Sequence, residues 1–337
     1  MDFRISGVAA LALLLTGPAN AAEDIVFGTN WKAEAEHGGF YQALAEGIYE
    51  RHGLNVTIRQ GGPQVNHAAL VAAGKLDFYM GGNLFGQFNF TQNGVPVTTV
   101  AAFFQKEPQV LLVHPDAGIE TFADLAKLDT IFMGNAGFST YFQWMKVAYE
   151  GFKDEQYKPY TFNPAPFIAD PNSAQQGYIT SEPFAVEQEA GWKPGLLVMA
   201  DAGYDTYSTT VIAQNSLIDE KPEVVQAFID ASIEGWVSYL YGDPSPGNEL
   251  IKADNPDMTD EQIAFSIATM KEHGIVDSGD SLEMGIGAMT DARWKSFFDK
   301  SVSWGVYPAD LDYTTGYTLE FVNKAVGVEA KNKLEGN

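Results

Sequence analysis

Eight residues of this sequence are candidates for binding a small molecule, because each stands where a predicted strand ends or a predicted helix begins. They are Trp31, His37, Tyr41, Asn66, Asn83, Ser139, Tyr141 and Glu182. Their rings can stack on a planar ligand, and their amide, hydroxyl, imidazole and carboxylate groups can hydrogen-bond to it. The sequence shows no Ser-His-Asp order, no His cluster spaced for a metal and no close carboxylate pair. We therefore predict binding without catalysis, and no metal or cofactor.

Glu182 offers the most specific chemistry of the eight. It follows the predicted strand 178–180 and precedes Pro183, so it stands at a strand-to-helix switch. A carboxylate that faces a cleft at this point selects an amino-substituted or protonated ring nitrogen and repels anions. The alternative is that Glu182 only pairs with the dipole of the helix that begins there.

Three more candidates belong to the first strand and the first helix. Trp31 directly follows the strand and is expected to form a flat wall of the cleft, or else to anchor the core. His37 precedes Gly38 and Gly39, which would let a ligand approach the start of the helix; the alternative is a surface cap. Tyr41 lies four residues later on the same helix face and is expected to extend the wall.

The other four candidates follow strand ends in both halves of the chain. Asn66 and Asn83 each close a glycine-containing loop, and their amides are expected to bond a ligand, although turn chemistry explains both loops without one. Ser139 and Tyr141 open the predicted helix after the loop 134–139. That position suits a carboxylate, sulfonate or phosphate, and a plain N-cap by Ser139 explains it equally well.

Alternating strand and helix patterns must position these side chains. Strands are predicted over residues 25–29, 54–59, 76–80, 97–104, 109–113, 130–133, 178–180, 196–200 and 209–213. Helices are predicted over residues 39–51, 64–73, 84–92, 121–128, 140–149, 182–190, 222–241, 259–273, 290–304 and 319–326. This alternation predicts an α/β fold with mostly parallel sheets flanked by helices, and ligands then bind at the carboxyl ends of the strands.

The pattern also predicts two lobes. The first comprises residues 22–113 and 208–337, and the second comprises residues 114–207. Because the last third of the chain is nearly all helical, it is expected to pack against the first block. Two crossings, near His114 and Tyr207, would then form a hinge with the cleft between the lobes.

Residues 1–21 are predicted to be a signal peptide. Arg4 supplies the positive region, residues 8–15 the apolar core and residues 19–21 a small-residue cleavage site. Later apolar runs are too short to cross a membrane. We therefore predict export to the periplasm without membrane insertion.

Composition excludes several classes of function. The chain has no Cys, which excludes disulfides, zinc-thiolate sites and a Cys nucleophile. The formal net charge of −24 argues against nucleic acid or an anionic membrane as partner. No loop has the glycines and Lys of a nucleotide-binding motif.

Several motifs stand in the order of a known family. They are Asn30-Trp31, His37-Gly-Gly-Phe-Tyr41, Tyr49-x-x-His-Gly-Leu54, Gly74-Lys-Leu-Asp77 and Gly177-Tyr-x-x-x-Glu-Pro183. In them the chain resembles substrate-binding proteins of ABC importers, in the group related to thiamine-pyrimidine-precursor, riboflavin and sulfonate or taurine binders. The resemblance implies a two-lobe, type II periplasmic-binding-protein fold. It also implies a monomer that docks, when loaded, on a membrane permease coupled to an ATPase.

The resemblance leaves the ligand open. In the pyrimidine-precursor binders the Glu of the last motif selects the ring, so the leading expectation is a small planar N-heterocycle such as a pyrimidine or vitamin precursor. An anionic solute (a sulfonate, taurine or an aromatic carboxylate) is the alternative, although only Lys32 and Lys106 lie near the predicted cleft. An enzyme like the fungal thiamine-pyrimidine synthases is the third, and export and the lack of Cys argue against it.

Overall fold

Two five-stranded sheets form the framework of residues 22–336, the part of the chain that this computed structural model describes. The predicted signal peptide lies outside these residues. The strands are β1 (Glu23–Gly28), β2 (Leu54–Arg59), β3 (Phe78–Asn83), β4 (Val97–Phe104), β5 (Gln109–Val113), β6 (Thr130–Met133), β7 (Tyr157–Pro159), β8 (Ser173–Tyr178), β9 (Gly195–Val198) and β10 (Ser208–Gln214). The first sheet has the order β2-β1-β3-β10-β4, and the second has the order β7-β6-β8-β5-β9.

Each sheet has one reversed strand, which is the fourth strand in the order of both sheets. In the first sheet β1 is parallel to β2 and β3, whereas β10 is antiparallel to both β3 and β4. In the second sheet β6 is parallel to β7 and β8, whereas β5 is antiparallel to both β8 and β9. The other strands of each sheet therefore run in one direction, as the alternating sequence pattern predicts.

The chain passes between the sheets twice, through residues 105–108 and 199–207. The prediction that residues 109–113 belong to the first lobe is wrong, because they form β5, which pairs with β8 and β9 of the second sheet. All five residues of β5 are buried. Its continuous apolar run is typical of a strand covered on both faces, which does not indicate the sheet to which it belongs. The first lobe is accordingly the part built on the first sheet, and the second lobe is the part built on the second.

Helices cover both sheets. They are α1 (Gly38–Ala45), α2 (Ile48–Arg51), α3 (His67–Ala72), α4 (Leu84–Gln92), α5 (Asn135–Ser139), α6 (Tyr141–Ala148), α7 (Ala165–Ala169), α8 (Glu182–Ala190), α9 (Asn215–Glu220), α10 (Pro222–Tyr241), α11 (Ser245–Asp254), α12 (Asp260–Glu272), α13 (Ser281–Met284), α14 (Asp291–Ser303) and α15 (Val328–Leu334). Short 3-10 helices span Ala35–His37, Phe122–Lys127, Asp154–Gln156 and Tyr313–Gly316. Side-chain oxygens of Asn66, Asn83, Thr259 and Thr290 accept backbone N–H groups at the starts of α3, α4, α12 and α14.

The last third of the chain packs mainly on the first lobe. The long helix α10 lies against α1, and Phe297 of α14 contacts Phe85 of α4 with ring centroids 5.3 Å apart. The last third also contacts the second lobe, where the ring centroids of Trp304 and Trp144 lie 5.5 Å apart. The helix predicted over residues 319–326 is wrong: these residues form turns, and the nearest helix is α15. Within residues 22–336, no helix combines the length and the apolar character needed to cross a bilayer.

Candidate functional site

A cleft with an empty volume of about 620 Å³ lies where strand ends of the two sheets face each other. The first lobe contributes residues after β1 and at the end of β3, and the second contributes residues after β6 and at the end of β8. The lining residues are Asn30, Trp31, Glu34, Gly82, Asn83, Glu107, Gln109, Gly134, Ala136, Gly137, Thr140, Tyr141, Gln176, Gly177, Tyr178 and Glu182. Four of the predicted site residues, Trp31, Asn83, Tyr141 and Glu182, are among them.

Trp31 reaches from the first lobe to the second. The Trp31 ring stacks on the Tyr160 ring, with ring centroids 6.0 Å apart and an interplanar angle of 19°. A Cβ atom on Gly134 would lie 3.1 Å from Cζ3 of Trp31, so the missing side chain of Gly134 leaves room for the indole. Trp31 therefore lines the cleft.

Glu182 lies at the first position of α8 with its carboxyl group buried in the cleft. Oε2 accepts a hydrogen bond from the backbone N–H of Tyr178 at 2.8 Å, and Oε1 accepts one from the Tyr160 hydroxyl at 3.3 Å. Burial raises the pKa of Glu182 to about 7, the nearby Glu36 adds to the increase, and the hydrogen bonds oppose it. Glu182 thus combines a helix start with a carboxyl group that faces the cleft.

Two further carboxyl groups line the cleft, and neither was predicted from the sequence. Glu34 and Glu107 are each 3% exposed. Burial raises the pKa of Glu107 to about 8, and burial together with the charges of Glu36 and Glu182 raises the pKa of Glu34 well above its ordinary value. Among the described residues, Oε2 of Glu107 has no hydrogen-bond partner.

Glu36 completes this group of acids behind the lining. Its Oε1 accepts a hydrogen bond from the Thr180 hydroxyl, which joins the first lobe to the second. Burial raises the pKa of Glu36 to about 7. The prediction that the chain has no close carboxylate pair is therefore wrong, because folding brings Glu182 close enough to Glu34 and Glu36, which are near neighbours in the sequence, for their charges to interact. The signal in the sequence was the pair of acids shortly after Trp31.

No Lys, Arg or His is among the residues that line this cleft in the described part of the chain. The two nearest cations named from the sequence are engaged elsewhere. Lys32 pairs with Asp257 at 3.1 Å and lies over the ring of Phe162, and Lys106 donates to the carbonyl oxygen of His273. The cleft therefore combines aromatic walls with uncompensated acidic groups.

His37 and Tyr41 lie outside the cleft, so their predicted role as cleft residues is wrong. His37 is buried, burial lowers its pKa to about 3, and its Nε2 lies 3.9 Å from Oε1 of Glu34. The Tyr41 hydroxyl donates to Asp254 of α11 at 2.8 Å. The Gly38-Gly39 pair, expected to let a ligand approach, instead lets α1 pack against the rings of α10.

Asn66 and Ser139 line a second compartment with an empty volume of about 1010 Å³. It shares Asn30, Trp31, Gly82, Asn83, Ala136 and Thr140 with the first, so the two compartments are adjacent. We call them the inner cleft and the outer compartment. Ser139 does not cap a helix start, because it ends α5 and its hydroxyl donates back to the Ala136 carbonyl at 3.1 Å.

Gln176 is a further cleft residue that was not predicted from the sequence. Its Oε1 accepts hydrogen bonds from the Gly134 N–H at 2.7 Å and from the Tyr141 hydroxyl at 2.8 Å. These bonds hold the glycine loop and the start of α6 against β8. Tyr141 therefore lines the cleft with its hydroxyl already bonded to the protein.

Comparison with known proteins agrees with this architecture. Residues 34–245, more than half of the chain, match the model of the family described as NMT1/THI5 like. No curated protein matches the sequence significantly. The alkanesulfonate-binding protein SsuA from Xanthomonas axonopodis pv. citri, solved bound to MOPS, is similar in structure with a TM-score of 0.62 at 13% identity, over 88% of this chain and 99% of that one.

Two other solved structures show how widely this fold is used. The periplasmic nitrate-binding protein NrtA from Synechocystis PCC 6803 has a TM-score of 0.57 at 12% identity, over 94% of this chain and 90% of that one. The desulfurization enzyme DszB has a TM-score of 0.56 at 11% identity, over 91% of this chain and 99% of that one. These findings confirm the predicted two-lobe fold and the resemblance drawn from the sequence motifs. The chain belongs to the NMT1/THI5-like family and has the fold of the periplasmic substrate-binding proteins.

Proposed function

We propose that this protein is the soluble periplasmic substrate-binding component of an ABC importer and that it captures a small planar N-heterocycle with a protonated or amino-substituted ring nitrogen. The observation that carries this proposal is the inner cleft itself. It holds three buried carboxyl groups, those of Glu34, Glu107 and Glu182, and no cationic side chain among its described lining residues.

A cationic or amino-bearing ligand would supply the positive charge that the described lining residues do not offer these acids. Burial of an unpaired carboxylate is unfavourable, which is why the pKa values of all three are raised. A ligand N–H group that bonds to Glu182 would restore the ionised form and gain a charge-assisted hydrogen bond. The acids therefore favour a donor ligand and oppose an anion.

The walls of the cleft favour a flat ligand. Trp31, Tyr141 and Tyr178 offer aromatic surface from both lobes. Aromatic rings stack on planar heterocycles and attract cations to their faces.

An anionic solute is the second candidate, because two structurally similar proteins are named as binders of alkanesulfonate and nitrate. The inner cleft gives such a ligand no counter-charge. The similar fold of DszB is a reason to test for turnover as well. We propose that the protein binds its ligand without turnover, so the bound compound should be recovered unchanged.

We also propose where the protein acts, to which partner it delivers its ligand and how the chain divides into lobes. Residues 1–21 would direct export, and the mature protein would act as a monomer that delivers its ligand to a permease with an ATPase subunit. The first lobe would comprise residues 22–104 and 208–336, and the second would comprise residues 109–198, with residues 105–108 and 199–207 as the hinge. The two sheets support this division.

Isothermal titration calorimetry tests the ligand class. A panel of aminopyrimidines should bind the wild-type protein, whereas taurine, ethanesulfonate and nitrate should not. The variant Glu182→Gln keeps the shape but removes the charge, and it should weaken binding by about 10- to 100-fold. Glu189→Gln is the matched control, since Glu189 lies on the same helix and is exposed. Tight binding of an anion, or equal affinity of wild type and Glu182→Gln for the aminopyrimidines, would contradict the proposal.

A further inference from the structure

The outer compartment differs in chemistry from the adjacent inner cleft. No Asp, Glu, Lys or Arg is among its described lining residues. Amide side chains and apolar side chains line it together, the latter including Val65, Phe90 and Ile212. The orientation of the amides indicates what they could bind.

Two of these amides have a fixed orientation. Oδ1 of Asn66 accepts the backbone N–H of Ala69 at 3.0 Å, and Oδ1 of Asn83 accepts the backbone N–H of Phe85 at 3.1 Å. A backbone N–H can only donate, so the carboxamide oxygen must face it and the amino group must point away from it. Within residues 22–336, no hydrogen bond of either Nδ2 atom to the protein is found.

Two more asparagines of the compartment, Asn89 and Asn135, bond to the hydroxyl groups of Tyr307 and Tyr157 at 2.7 and 2.9 Å. A hydroxyl group can donate or accept, whereas the backbone N–H groups at Asn66 and Asn83 occupy the acceptor of each of those two amides. The outer compartment is therefore supplied with hydrogen-bond donors, without a charge to accompany them.

We propose that the ligand has two parts: a donor or cationic ring in the inner cleft, and an uncharged arm in the outer compartment that carries acceptor oxygens. Asn66 and Asn83 would donate to those oxygens, while Val65, Phe90 and Ile212 would contact the hydrocarbon of the arm. Asn83 lines both compartments and marks where the arm leaves the ring. This inference rests on the proposed function, because the ring must occupy the inner cleft.

Three probes separate the arm from the ring: 4-aminopyrimidine, the same ring with a butyl arm, and the same ring with a 3-oxobutyl arm of equal length. A ketone oxygen only accepts, so it reports on donors alone. Calorimetry should show that the 3-oxobutyl compound binds the wild type about three- to tenfold more tightly than the butyl compound. Equal affinity of these two compounds would overturn the inference.

The variants Asn66→Asp and Asn83→Asp test the two donors. Aspartate caps a helix as well as asparagine, so folding should be retained while the amino group is lost. The ratio of the two affinities should fall to about one in each variant. Asn215→Asp is the control, because Oδ1 of Asn215 also accepts from the protein, from Thr98, and it follows the far end of β10. In Asn215→Asp the ratio of the affinities for the 3-oxobutyl and butyl compounds should equal the wild-type ratio.

The possible failures are distinguishable. If 4-aminopyrimidine and both derivatives fail to bind the wild type, the proposed function is wrong and this inference falls with it. If the ring binds but the ketone adds nothing, or if the aspartate variants keep the wild-type ratio, only the two-part ligand is wrong.

Discussion

Glu182, Glu34 and Glu107 differ in how far the sequence could reveal them. Glu182 was predictable because a strand end and a following proline locate it at the edge of a sheet. Glu34 and Glu107 were not, since a charged residue in a loop normally indicates solvent exposure. They are buried only because residues far apart in the chain cover them. His37 shows the opposite error, because its type suggested chemistry whereas its surroundings make it a neutral core residue.

The acids should make ligand binding depend on pH. The pKa values of Glu36 and Glu182 rise from the ordinary 4.5 to about 7, and that of Glu107 to about 8. A cationic ligand needs ionised partners, so its binding should release protons and strengthen as pH rises from 5 to 8, by up to ~10-fold per pH unit for each carboxyl group. The permanently charged 1-methyl-4-aminopyridinium keeps the ligand from titrating, and calorimetry in buffers of different ionisation enthalpy would count the protons.

The same pKa values determine whether the stability of the ligand-free protein rises or falls with pH. A carboxyl group with a raised folded-state pKa holds its proton more tightly in the folded protein, so the ligand-free protein should lose stability as pH rises from about 4.5 to 8. Glu182→Gln should show a smaller loss in urea unfolding. For the binding prediction, an affinity for 1-methyl-4-aminopyridinium that falls as the pH rises would contradict the assignment of these carboxyl groups to the ligand site.

The elements that surround the site were largely predictable from periodicity and glycine positions. Their pairing partners were less so, as β5 shows. The Gly38-Gly39 pair is another case, because a sequence cannot distinguish a glycine that admits a ligand from one that admits a neighbouring helix. A Cβ atom on Gly39 would lie 2.1 Å from the Trp236 ring, and one on Gly38 would lie 2.0 Å from the Tyr239 ring. The motif that suggested a binding loop therefore serves the packing of α1 on α10.

Gly39→Ala should consequently destabilise the fold by about 1–3 kcal/mol, because the new methyl group overlaps a fully buried indole. Urea unfolding measures this change. Gly86→Ala in α4 is the control, since nothing lies within 4 Å of a Cβ atom there and alanine favours the helix. It should leave stability unchanged or increase it. Equal effects of the two substitutions would refute the packing role.

Across the whole molecule, polar contacts hold the lobes together behind the cleft. Gln262 of α12 donates to the carbonyl oxygen and hydroxyl of Ser181 at 3.1 and 3.2 Å, and the Ser266 hydroxyl donates to the Thr180 carbonyl at 2.7 Å. The helical last third was expected to pack on the first lobe. These bonds to the second lobe depend on tertiary placement that periodicity does not encode.

Gln262→Ala should therefore let the ligand-free protein open further, which small-angle X-ray scattering would detect as a larger radius of gyration. The matched control is Gln226→Ala, whose amide bonds to Asp230 and to the carbonyl oxygen of Phe321. That variant should keep the wild-type value. An unchanged radius for Gln262→Ala would show that its bonds do not restrain the lobes.

The position of β10 also has a consequence for the order of folding. β10 lies between β3 and β4, so the first sheet lacks an inner strand until residues 208–214 arrive. The second sheet is complete at Val198, the end of β9. During synthesis from the amino end, the second sheet can therefore form completely before the first sheet has its inner strand. The non-local pairing of β10 with β3 and β4 is the step expected to be slow.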